Sequence, residues 1–251
     1  MHSAVLRLSN LRQAHSRPPR NNNEVSSQPH PAQSGITQAL LADAQHAFGV
    51  AGYCILRSVL SPREAELISS YALLQCVYPD YYLAEPLTQS QGRYCDAMGE
   101  TLLIKLHGLM QQVAAAALEP CYSYLRIYRP GAVLEKHIDR DSCEVSASMT
   151  LGFQAQRNWP LWLEDAGQSR ALELAPGDLL LYRGADLPHW RERFDGQFWV
   201  QLFLHYVRSN GRFAGHRFDG REQLGPFDPE RQRRKLPSDA ATPAGSAGEA
   251  A

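Results

Sequence analysis

YLRIYRPGAVLEKHIDRDSCEVSASMTLG, residues Tyr124 to Gly152, decides how the second half of this chain folds. At its start Tyr122, Tyr124, Arg126 and Tyr128 alternate with Ser123, Leu125 and Ile127. Further on, Glu144, Ser146, Ser148 and Thr150 alternate with Val145, Ala147, Met149 and Leu151. Successive side chains of a strand point to opposite faces, so this period of two predicts strands with one polar and one apolar face. It returns near the end, where Trp199, Gln201, Phe203 and His205 alternate with Val200, Leu202, Leu204 and Tyr206. A half-exposed surface sheet has the same period, but its outer face is normally solvated. Tyr, Arg, Trp, His and small hydroxyls suit an enclosed polar cavity better. Turn residues at Pro130-Gly131, Pro176-Gly177-Asp178 and Asp195-Gly196 separate the strands. The expected architecture is mainly β: a small barrel with helices packed on its outside.

Upstream of Pro120 the period is helical. Leu40, Leu41, Ala44 and Phe48 share one face of a helix expected over Thr37–Phe48, and Tyr53–Val59 looks like a strand. Ser61-Pro62-Arg63-Glu64 is a capping box with proline at the first helical position, launching a helix to about Cys76. Tyr78–Asp96 is aromatic and irregular, a candidate lid, because loops often carry specificity. A second long helix is expected from Gly99 to Leu118. Three segments result: a disordered leader at 1–35, a barrel domain with N-terminal helices at 36–214, and a disordered tail at 215–251. The leader has arginines, serines and no acid before Glu24, which loosely suits an organellar transit peptide; its Pro, Asn, Ser and Gln content favours plain disorder. The tail's basic run at Arg231–Lys235 reads as a solvated terminus.

The 251 residues carry 25 basic and 26 acidic side chains, so no global positive field favours nucleic acid or an anionic membrane. The five cysteines show no C-x-x-C spacing, which argues against a disulfide framework and for a reducing, cytoplasmic setting. No apolar run reaches the roughly 18 residues a spanning helix requires.

The chemistry concentrates in His137-Ile138-Asp139 and a distal His189. Residues two apart on an extended segment point to the same side, and a later strand can bring His189 to them. Two imidazoles and one carboxylate leave adjacent positions open on an octahedral ferrous ion, room for a bidentate co-substrate and O₂. H-x-D alone is a weak signal. Here it arrives with the barrel period, the preceding Pro-Gly turn and the distal histidine.

Residues Tyr124–Gly152 and Ala175–Val207 resemble the 2-oxoglutarate/Fe(II)-dependent dioxygenases, in particular their prolyl-hydroxylase-like branch. The resemblance implies a double-stranded β-helix (jelly-roll) barrel, Fe(II), 2-oxoglutarate and O₂, with ascorbate-sensitive turnover. It implies hydroxylation of an unactivated C–H on a small molecule or peptidyl residue, with release of succinate and CO₂. His137, Asp139 and His189 match the metal ligands. Many members place Arg or Lys about ten residues after the distal histidine to hold the far carboxylate of 2-oxoglutarate; Trp199 stands there in this chain. Arg126, with Tyr128 and Gln201 as neutral donors, is the expected clamp, by analogy with the nucleic-acid-repair branch; Arg191 and Arg193 are the fallback. A guanidinium suits that bidentate role, and a charge-assisted bond contributes roughly 1.5–3 kcal/mol. The competing reading of Arg126 is an ion pair at the barrel rim with an acid such as Glu144. Asp139 argues against halogenation, since related halogenases lack this carboxylate.

His107 is expected to be a surface or packing histidine. His205 faces the cavity with no second ligand set beside it, and Cys143 is not needed as a ligand. Trp159, Trp162 and Trp190 are assigned no role. Two alternatives use the same strands: a non-catalytic barrel binding a metal or small ligand, and a cupin-like metalloenzyme without 2-oxoglutarate.

Overall fold

The structure, a computed structural model, describes residues 36–78 and 80–225. The expected leader at 1–35 and the basic run at 231–235 lie outside the described residues. Helix α1 (Gln38–Ala51) is capped by Thr37 and ends at Gly52, and β1 (Tyr53–Leu56) follows directly. Helix α2 (Pro62–Gln75) starts at the expected capping box: Glu64 N donates to Ser61 Oγ and Ser61 N to Glu64 Oε2. The segment expected to be irregular contains a hairpin, β2 (Leu83–Glu85) and β3 (Ser90–Tyr94), whose second strand pairs with β4. The long helix is in fact two, α3 (Ala97–Lys105) and α4 (His107–Ala114), interrupted at Leu106. It ends before Leu118 because Ala115 turns left-handed and the chain enters β4 (Leu118–Tyr128).

The barrel continues through β5 (Leu134–His137), β6 (Val145–Gln154), β7 (Leu161–Asp165), β8 (Gln168–Leu172), β9 (Leu179–Tyr182), β10 (His189–Arg191) and β11 (Phe198–Arg208). Seven strands form one antiparallel sheet, in the order β1-β9-β6-β11-β4-β3-β2. Four form the other, in the order β5-β10-β7-β8. Leu125, Ile127, Ala147, Met149, Leu202 and Leu204 pack with Phe48, Ile68, Leu103 and Met110 into the main core. This is the apolar half of the period-two pattern, buried under the helices, and it leaves the polar half facing inward. Gly177, at φ +89°, sits so close to the Leu60 carbonyl that a Cβ would overlap it, which explains glycine in the turn before β9.

Packing runs past residue 214, the expected end of the domain. Residues Ala214–Gly220 form a short 3₁₀ segment, and Asp219 is buried against Arg140 and Tyr94. Arg221 reaches the buried Glu100 at 3.2 Å. A mostly hydrophilic sequence hides this because its contacts are ion pairs rather than apolar burial.

Candidate metal centre

His137 and His189 are direct cross-strand partners in the β5–β10 pair, and Asp139 follows two residues after His137. Asp139 Oδ1 lies 3.6 Å from His137 Nε2 and 3.5 Å from His189 Nε2. The three ligand atoms lie within 4.8 Å of one another, as one ion requires. Each ring has its Nδ1 against the carbonyl two residues earlier, Glu135 at 2.7 Å and Leu187 at 2.9 Å. A carbonyl can only accept, so both Nδ1 atoms carry the proton and both Nε2 lone pairs point to the shared space. Burial alone would raise the Asp139 carboxyl, but in the absence of an ion the two imidazoles, charged and donating from Nε2, hold it well below the usual range. Its other oxygen, Oδ2, accepts from Ser146 Oγ at 3.1 Å and Tyr182 OH at 3.4 Å. Oδ1 is thereby left free to meet an ion. The donor set fits a ferrous ion with open positions.

Gly184 is a site residue that periodicity could not have revealed. Its carbonyl accepts from Asp139 N at 2.8 Å, and a Cβ there would overlap Asp139 Oδ2. Cys143 and His205 correct another expectation, since with Asp139 they form a second group within 4.8 Å. That group is the poorer site. His205 Nδ1 is engaged by Ser146 Oγ at 2.9 Å, and burial pushes its ring down to about 4. Burial also raises the Cys143 thiol well above its ordinary value, so it stays protonated.

A cavity of about 160 Å³ opens beside the triad, walled by Tyr122, Tyr124, Arg126, Tyr182, Phe203 and His205. All but Tyr182 belong to the inward face expected from the sequence. The proposed clamp residues separate, however. Arg126 lines the cavity, but its Nε stands 2.9 Å from Glu85 Oε2, in ion-pair contact off the N–H axis. The acid is Glu85, from the unexpected hairpin; Glu144 instead pairs with Arg208 at 2.6 Å. Tyr128 is fully buried, and its OH accepts from Arg126 at 3.4 Å. Gln201 lies deeper. Its Oε1 accepts from Trp199 Nε1 at 2.7 Å, Thr150 Oγ1 at 3.2 Å and Arg191 at 3.3 Å, while its Nε2 donates to Ser148 Oγ at 2.8 Å. Both ends of the amide are committed. Arg191 is buried, and burial lowers its guanidinium to about 10; Arg193 is exposed.

Among the other aromatic residues, His107 is a packing residue, stacked 5.7 Å from Tyr206 and bonded to the Leu118 carbonyl. Trp162 and Trp190 stack on each other on the face of β7 and β10 opposite His189, whereas Trp159 packs inside against Tyr128 and Trp199.

The two sheets form a double-stranded β-helix, a fold this chain shares with solved 2-oxoglutarate oxygenases. A prolyl-4-hydroxylase from Pseudomonas putida is 19% identical and superposes with a TM-score of 0.58, over 67% of this chain and 98% of that one. HygX from Streptomyces hygroscopicus, solved with nickel and 2-oxoglutarate bound, is 14% identical with a TM-score of 0.54, over 67% and 87%. The 2-oxoglutarate-dependent epimerase SnoN of nogalamycin biosynthesis is 10% identical with a TM-score of 0.60, over 76% and 94%. No family model matches the chain, and no curated protein matches it. No helix among the described residues is long and apolar enough to cross a membrane.

Proposed function

We propose that the protein is an Fe(II)- and 2-oxoglutarate-dependent dioxygenase that hydroxylates an unactivated C–H of a small molecule or peptidyl residue. The observation that carries this is the convergence of His137, Asp139 and His189, with both imidazole tautomers set by backbone carbonyls. Ferrous iron held there would supply O₂ activation coupled to oxidative decarboxylation of 2-oxoglutarate to succinate and CO₂. The chain's own groups do the rest. Ser146 and Tyr182 hold Asp139 so that a single oxygen faces the metal. Tyr122, Tyr124 and Phe203 wall the reaction space from bulk water. A cavity of about 160 Å³ has room for one ring or one side chain, since an apolar cavity of about 150 Å³ holds benzene. Asp139 fills the coordination position that a halide would need, which favours hydroxylation or desaturation.

The far carboxylate of 2-oxoglutarate needs a cation, because burying it unpaired is costly. Arg126 and Arg191 stand in the barrel interior, with Tyr128 as a neutral neighbour of Arg126. The balanced net charge and the narrow cavity favour a small or peptidyl substrate over nucleic acid.

The test is spectroscopic and chemical. Anaerobic protein given Fe(II) and 2-oxoglutarate should develop a weak visible charge-transfer band, and in air it should release succinate. The His137→Ala protein should do neither. If the unaltered protein gives no band and no succinate, the reading fails, leaving a binding barrel. Turnover of O₂ without succinate would point to a cupin-like enzyme instead.

A further inference from the structure

A phenol and a thiol meet in the cavity wall beside the triad. Tyr122 OH and Cys143 Sγ stand 3.1 Å apart, the first on β4 and the second at the end of the short 3₁₀ turn (Asp141–Cys143) that follows Asp139. Both residues line the cavity and are closed to bulk solvent, at 7% and 2% exposure. The sulfur lies within 4.8 Å of an Asp139 carboxylate oxygen. The Tyr122 ring is held from several sides. The Arg140 guanidinium carbon is 4.5 Å from its centroid, and the His205 and Tyr94 rings are centred 4.5 and 5.1 Å away.

Other phenols share the wall, but their hydroxyls are engaged differently. Tyr124 donates to Glu85 and Tyr182 to Asp139, whereas Tyr122 meets a sulfur. Iron held at the triad would supply a two-electron oxidation driven by O₂ and a 2-oxo acid. With no substrate in the cavity, those oxidising equivalents fall on the walls. Thiols are the readily oxidised side chains of proteins, and this one already touches an aromatic partner.

We propose that Tyr122 and Cys143 are a self-modification site, joined by a thioether between Cys143 Sγ and the Tyr122 ring carbon next to the hydroxyl-bearing one. The S–H and one ring C–H bond break, and a single C–S bond forms. Both hydrogens leave in one water. The sum is thiol, phenol, 2-oxoglutarate and O₂ giving thioether, succinate, CO₂ and water: O₂ takes two electrons from the 2-oxo acid and two from the pair. The proposal rests on the oxygenase reading and assigns these two side chains a role beyond it. The bond would tie β4 to the turn after Asp139. It would also withdraw the sulfur from the Asp139–Cys143–His205 group, leaving the His137–Asp139–His189 set without a rival among the described residues.

The test uses chelator-stripped protein from iron-depleted cells, incubated with Fe(II), 2-oxoglutarate and air but no substrate, then unfolded in urea. Before incubation all five cysteines should titrate as thiols. Afterwards one thiol should be lost and the intact mass should fall by two hydrogens. Digestion should yield a joined peptide linking Tyr122 to Cys143 that survives dithiothreitol. Anaerobic incubation, Cys143→Ser and Tyr122→Phe should each leave the peptides separate. Succinate released with all five thiols intact would overturn the assignment. So would oxygen added at either residue without a joined peptide, or a mass loss that dithiothreitol reverses, which marks a disulfide. If the unaltered protein shows no charge-transfer band and releases no succinate, the oxygenase reading has failed and the thioether falls with it.

Discussion

Ser146 Oγ stands 3.1 Å from Asp139 Oδ2, on the side of the carboxylate away from the two histidines. The hydroxyl thus leaves Oδ1 as the oxygen that an ion at the triad would receive. Outer groups of this kind are typically worth 10- to 100-fold in metal affinity. Ser146→Ala should weaken Fe(II) about 10-fold or more, measured by competition with a chelator. Unchanged affinity would mean that Tyr182 alone orients the carboxylate.

Gly184 makes a sharper demand on the same atom. A methyl group there would overlap Asp139 Oδ2, and no flexible side chain can yield without moving the ligand itself. Gly184→Ala should therefore purify with substoichiometric metal after Fe(II) loading. Elemental analysis reads this directly, and full occupancy would show that the carboxylate has another acceptable position.

The Glu85–Arg126 pair predicts a stability cycle. Glu85→Gln leaves a largely buried guanidinium unbalanced, and breaking a buried pair from one side costs about 3–5 kcal/mol. Adding Arg126→Met should recover most of that loss in urea denaturation. If the single and double variants unfold alike, the pair contributes nothing.

The same acid gives a pH dependence. Burial raises the Glu85 carboxyl, but Arg126 and the hydroxyls of Tyr124 and Ser90 outweigh it, leaving its value lowered on folding. A group depressed by folding contributes stability above its unfolded value, near 4.3, that disappears as pH falls through its folded value. The stability difference between unaltered protein and Glu85→Gln should be full near pH 7 and shrink below about pH 4.3. A difference that stays constant down to pH 3 would contradict the assignment.

Residues 214–225 supply the last expectation. Glu100 is 2% exposed and accepts from Ser123 N, Ser123 Oγ, Arg221 and Gly225 N. A chain ending at Phe213 loses two of those donors and strips Arg140 of Asp219. Its melting temperature should fall by several degrees, as losses above 1 kcal/mol do in a domain of this size. An unchanged melting temperature would restore 214 as the working boundary.

Much of this was legible in the residues. Period two placed β4, β6 and β11 and their inward faces, the Ser61 capping box placed α2, and the H-x-D spacing picked out two members of the converging triad. Other features were hidden for physical reasons. β2 and β3 are short and polar, and they exist because β4 offers an edge to pair with, so no local signal marks them. Glu85 could not be matched to Arg126 without that hairpin. Arg191 looked like one of two basic residues after His189, because the burial that separates it from exposed Arg193 is set by contacts across the barrel. Gly184 and Ser146 matter through contacts made across the barrel, which no spacing encodes.

Under the proposed function, the cross-strand pairing of His137 with His189 makes iron uptake a gauge of correct assembly. A slip of one residue between β5 and β10 would turn one imidazole outward and dismantle the coordination sphere, while leaving the backbone hydrogen bonds much as before. Residues 138–188 must fold back before the two strands can meet, so neither ligand strand can capture the ion alone. A preparation that looks fully folded by circular dichroism but takes up less than one equivalent of metal would contain mispaired barrels, and added Fe(II) would draw them toward the correct alignment by mass action.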